Sequence, residues 1–102
     1  MQTNSSFRTY ELAVRFYRDT RDLALPRHLK DQFDRAASSI ALNLHEGSAK
    51  SSRRDRLRYY EIAFGSIREC QAILRLIGVT ETHRGIDVLA RHGFNLCRAL
   101  RC

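Results

Sequence analysis

Five cations crowd one short stretch of this chain: Lys50, Arg53, Arg54, Arg56 and Arg58, within KSSRRDRLRYY. Such a cluster binds anions, and the phosphate backbone of a nucleic acid suits it well, because the planar donor fork of Arg matches phosphate oxygens. The stretch also reads as a helix start, with Ser52 as N-cap and Asp55 three residues on. Cations there oppose the helix dipole by roughly a few tenths of a kcal/mol each, so an anionic partner would account for them. Free N–H groups between Gly47 and Ser52 would add to the attraction. Tyr59 and Tyr60 follow. Helical spacing sends one of them to the core, expected to be Tyr60, and leaves the other to stack on an unpaired base. The competing reading is a solvated charged helix start, partly neutralised by Asp55.

Arg84, Arg91 and Arg98 recur every seventh residue and form a second basic ridge, fit to track a phosphate backbone or simply to be solvated. A third set is polar and uncharged or mixed. Gln32, Arg35, Ser39, Asn43 and Glu46 share the side of their helix away from its apolar stripe. Ser66 and Glu69 sit in or beside the apolar arc of the next helix. Buried or interfacial polar groups need partners, so Arg35, Asn43, Glu46, Ser66 and Glu69 form a candidate hydrogen-bond network between helices or between subunits. Hydrolysis through Ser66 and Glu46 lacks a base in suitable context, and no glycine-rich phosphate loop is present. His28, His45, His83 and His92 are scattered, and Cys70, Cys97 and Cys102 form no metal-ligand or disulfide pattern. Catalysis, a cofactor and a metal are therefore not expected; reduced thiols in a cytoplasm are.

Positioning these groups falls to helices. The chain has 102 residues, 43% of them hydrophobic and 28% charged, with one Pro and five Gly, a size and composition for one folded domain. Lys and Arg number 18 against 11 Asp and Glu, a formal net charge of +7 that favours polyanionic partners. No apolar run is long enough for a signal peptide or a membrane span. Apolar residues recur at helical spacing and nowhere alternate as in a strand. The expected fold is all-α, an antiparallel up-down-up-down four-helix bundle in a single domain, since short connections make consecutive helices neighbours. Helix 1 is expected from Phe7 to Ala24, capped by Ser5 or Ser6 and closed by Leu25-Pro26. Helix 2 runs from Arg27 to Glu46 with Gly47 as its stop, and helix 3 from Arg53 to Gly78. Helix 4 runs from Glu81 to Leu100, opened by Thr80 or Thr82.

Two of these helices carry more apolar surface than a single core needs. Helix 1 has Tyr10, Val14 and Tyr17 on one flank and Leu12, Phe16 and Leu23 on another. Helix 3 has Leu57, Tyr60, Phe64, Ile67 and Leu74 beside Ile62, Ile73 and Ile77. Surplus of this kind argues for self-association; a thicker core with Tyr hydroxyls reaching water is the alternative.

The combination of Tyr10 to Val14 (YELAV), Arg35-Ala36-Ala37-x-Ser39-Ile40, Asn43-x-x-Glu46-Gly47 and Ala63-x-Gly65-Ser66-x-x-Glu69 resembles the four-helix bundle proteins encoded in intervening sequences of bacterial 23S ribosomal RNA genes. The resemblance covers helices 1 to 3; His45 departs from the small residue usual at its position. It implies an antiparallel bundle assembled as a homopentamer with a basic surface, and no enzymatic activity. It also brings in the similar accessory proteins of diversity-generating retroelements, which implies nucleic acid and a reverse transcriptase as partners. A protein-interaction scaffold that does not touch nucleic acid is the alternative.

Overall fold

A computed structural model of the chain describes residues 4–79 and 84–101. They form four helices and, among the described residues, no strand: α1 (Asn4–Asp19), α2 (Arg27–Ser48), α3 (Arg53–Leu76) and α4 (Arg84–Arg101). α1 and α3 lie diagonally opposite, each packed against both α2 and α4, in the expected up-down-up-down arrangement. The bundle measures 40 × 21 × 20 Å, its long axis set by the 24-residue α3. Among the described residues no helix is long and apolar enough to cross a membrane.

The apolar stripes close on one core. Phe33 and Ile40 of α2, Ile67 of α3 and Leu89 of α4 are wholly buried, and Phe16 of α1 meets Phe33 at 5.9 Å between ring centroids. Gly93 lets α4 approach α3, since a β-carbon there would stand 3.0 Å from Ile67 Cδ1.

Part of the wide arc of helix 1 packs within the chain itself. The most buried residues of α1 are Ser6, Thr9, Ala13 and Phe16, continued just past the helix by Thr20, a stripe of mostly small side chains. Tyr10, Leu12 and Tyr17 are the shoulders of that stripe and pack, half-buried, on the chain's own core. Much of the surplus is thus absorbed within one bundle. Phe7, Leu42, Ile62, Leu76 and Phe94 stay exposed.

Helix ends follow local hydrogen bonding. α1 starts before the expected serine caps and ends five residues early. The Arg21 side chain, through Nε, donates to the Tyr17 carbonyl at 2.8 Å, where another helical turn would need the Arg21 amide; that amide turns to Arg18 O at 3.4 Å. Thr20 Oγ1 donates to Phe16 O at 2.8 Å and reinforces the exit. α2 passes through Gly47, which is buried inside the helix and is not its stop; Ala49, at φ −84°, is the C-cap. Ser52 caps α3 as expected, accepting from the Asp55 amide at 3.0 Å. α3 stops two residues short of Gly78, whose φ of 74° builds a Schellman cap: Gly78 N donates to Arg75 O and Val79 N to Leu74 O, both at 3.1 Å. The expected Thr80 or Thr82 cap of α4 lies outside the described residues, as do His83 and Cys102.

Candidate nucleic-acid interface

The basic segment occupies the corner where α2 hands over to α3. Helical spacing divides its arginines between two faces. Arg53 and Arg56 lie on the side of Tyr60, which is buried, and all three line a cleft of about 620 Å³ shared with α1 and α4. Arg53 donates through Nε to Leu100 O at 3.1 Å and through Nη2 to Ala99 O at 2.8 Å, so it caps the C-terminus of α4. Its charge, unfavourable to the dipole of its own helix, is favourable to that of the helix it caps. Arg56 is half-buried beside Tyr60. Burial raises the Tyr60 hydroxyl pKa above its ordinary value, against the smaller opposing effects of its Ser6 hydrogen bond and the Arg56 charge.

Arg54 and Arg58 lie on the outer face, both exposed. Arg58 stands over the Tyr59 ring with its guanidinium carbon 4.9 Å from the centroid, and Lys50 Nζ is 5.2 Å from the same centroid. Glu46 holds Lys50 from its own helix at 3.2 Å. The structure therefore brings Lys50 and Arg58 to Tyr59, leaves Arg54 exposed one turn before Arg58, and turns Arg53 and Arg56 toward α4. On α4 itself Arg91 and Arg98 are exposed; Arg84 opens the helix, its side chain outside the described residues.

The polar set is joined in part. Ser39, on the expected face of α2, is its hub: Ser66 Oγ donates to Ser39 Oγ at 2.9 Å across the α2–α3 contact, and Asn43 Nδ2 donates to the same oxygen at 3.0 Å. Arg35, Glu46 and Glu69 are exposed, and within one chain Glu46 engages Lys50 rather than Asn43 or Ser66.

Two features had no local signal. Arg101 pairs with Glu61, its Nη2 2.6 Å from Glu61 Oε2, and with Arg53 ties the end of α4 to the start of α3. Gly47 brings α3 down onto α2 beneath Tyr59. Among the described residues no group of three or more His, Cys, Asp or Glu could hold a metal ion. Cys70 and Cys97 are free and buried, and burial pushes the Cys70 thiol up to about 12.

With this geometry in place, comparison with known proteins adds one finding. The family model described as 23S rRNA-intervening sequence protein matches residues 5–84, from α1 to the first residue of α4. No curated protein and no solved structure matches the chain.

Proposed function

The chain belongs to the 23S rRNA-intervening sequence protein family, and from that membership and its basic surface we propose that it is a homo-oligomeric, non-catalytic bundle that binds nucleic acid through phosphate contacts. The observation that carries this reading is the outward set of Lys50, Arg54 and Arg58 at the α2–α3 corner, Lys50 and Arg58 lying against Tyr59, in a protein of net charge +7. Charges on a folded helix face suit a backbone of regularly spaced phosphates, RNA or DNA, more than a particular base sequence; the Ala49, Lys50 and Asp55 amides, expected to add to the attraction, are bonded to Glu46 O, Gly47 O and Ser52 Oγ.

Assembly into about five chains would repeat the patch and multiply its affinity. Ile62 and Leu42, exposed on α3 and α2 beside the Ser39–Ser66 contact, support a subunit interface there. The two buried free thiols accord with a reducing compartment such as the cytoplasm. An accessory role beside a reverse transcriptase belongs to the same proposal, and co-purification from the native host tests it. The reading as a whole is tested by titrating a generic RNA or DNA duplex at several salt concentrations. Each neutralised phosphate of a duplex contributes about 0.9 to the fall of log affinity with log salt. A steep fall supports the reading; no measurable binding at low salt overturns it. Light scattering that finds a monomer at micromolar concentration removes the assembly.

A further inference from the structure

Two of the outward cations meet on a single ring, and one of them, Lys50, is also paired with Glu46 at 3.2 Å. Lys50 comes to Tyr59 from the loop after α2, and Arg58 from the neighbouring position on α3. Arg58 Nη2 also makes a long contact of 3.5 Å with the Tyr59 hydroxyl. The base of the side chain lies close to α2: a β-carbon on Gly47 would stand 3.0 Å from Tyr59 Cβ. Two long flexible cations thus converge on one half-buried aromatic.

Lys and Arg lose much of their rotamer freedom when they settle on a phosphate, which weakens the binding they give. A cation resting on an aromatic face has lost part of that freedom already, while its N–H groups remain available at the edge. A face that carries a cation is also withdrawn from base stacking. Resting on the nucleic-acid reading above, the geometry points to Tyr59 as a positioning residue: its ring holds Lys50 and Arg58 ready for phosphates, and the ring itself does not stack on a base.

The test uses the full chain with two probes, a single-stranded homopolymer RNA and a DNA duplex. Tyr59→Leu keeps the β-carbon that meets α2 and removes the ring. It is expected to weaken both probes by about five- to tenfold, from two cation–π contacts at a surface site. Its salt slope should stay that of the unaltered protein, because both charges remain. Tyr59→Phe should restore binding to within about twofold, since the ring face supplies most of the attraction. In a Lys50→Ala/Arg58→Ala background, adding Tyr59→Leu should change nothing further. Unaltered binding by Tyr59→Leu overturns the inference. So does a loss confined to the single strand and additive with the two cation changes, which would mean base stacking. Should the leucine variant fail to fold, Tyr59→Met removes the ring in its place. Absence of binding by the unaltered protein is a separate outcome and overturns the nucleic-acid reading itself.

Discussion

The Tyr60 ring fills the space in which a β-carbon on Gly47 would stand: built there, that atom falls 2.8 Å from Tyr60 Cε1 and 2.9 Å from Cδ1. Tyr60 is buried and hydrogen-bonded to Ser6, so its ring cannot withdraw cheaply. Gly47→Ala gains about 1 kcal/mol of helix propensity but forces an overpacked contact of about 1 to 3 kcal/mol. A net loss of stability is expected in a urea or thermal melt. Gly65 is the control, in mid-helix with nothing within 4 Å of its would-be β-carbon. Gly65→Ala should stabilise by about 0.5 to 1 kcal/mol, and the opposite signs test the packing directly.

Gly47 also shows where reading the sequence stops. A glycine after an apolar run looks the same whether it ends a helix through positive φ or admits a neighbouring side chain; the first role belongs to Gly78, the second to Gly47. The stripes Phe33-Ala36-Ala37-Ile40-Leu44 and Ile86-Leu89-Leu96-Cys97 were legible because burial follows helical period. The Ser52 cap was legible because its partner is three residues away. The end of α1 was not, because Leu23 and Ala24 extend the pattern while the Arg21 side chain captures the Tyr17 carbonyl. The division of the arginine cluster was hidden for a related reason: the carbonyls Arg53 caps are 46 and 47 residues away in sequence.

The Ser39 hydroxyl accepts from both Ser66 and Asn43. Ser66→Ala removes one interhelical bond and is expected to cost about 0.5 to 1.5 kcal/mol; Ser39→Ala should cost at least as much, because the Ser66 hydroxyl loses its acceptor while Asn43 Nδ2 keeps its 2.8 Å bond to the Ser39 carbonyl. Arg35→Ala, at an exposed position, should shift the melt by less than about 0.5 kcal/mol. A large drop for Arg35→Ala accompanied by loss of mass would place Arg35 at a subunit contact.

The Cys70 thiol, pushed up to about 12 by burial first and by the Glu69 charge second, has an ordinary value of 9.0. Above pH 9 the unfolded chain releases this proton and the folded chain keeps it, so the folded state binds more protons and stability falls as pH rises toward 12. Burial of Cys97 and Tyr60 acts in the same direction. Unfolding free energy measured from pH 8 upward should decline, approaching about 1.4 kcal/mol per pH unit from Cys70 alone. Cys70→Ser should flatten that decline, and a pH-independent profile in the unaltered protein would contradict the buried thiols.

The two faces of the arginine cluster should separate by experiment. Arg53 bonds the Ala99 and Leu100 carbonyls, and Arg56 is half-buried in the cleft against α4. Arg54 and Arg58 are exposed, Arg58 lying over Tyr59. Arg53→Ala/Arg56→Ala leaves α4 carbonyls uncapped and the cleft underfilled, so it should lower stability by about 1 to 3 kcal/mol and speed hydrogen exchange in the last turn of α4. Arg54→Ala/Arg58→Ala touches neither the core nor a cap. It removes one cation, Arg54, from the first turn of α3, where the dipole disfavours it, and loses the Arg58 contact with Tyr59, so the opposing effects should leave the melt within about 1 kcal/mol of the unaltered protein. In nucleic-acid titrations the order reverses. The outward pair should reduce the salt slope by about 2 on duplex DNA, one per lost phosphate contact, while the inward pair leaves the slope nearly unchanged. Arg91→Ala/Arg98→Ala, exposed on α4, reports whether the field is local to the α2–α3 corner. A slope loss equal to that of the outward pair would mean that phosphates are met across the whole basic surface, and an unchanged slope in all three variants would remove both arginine faces from the contact.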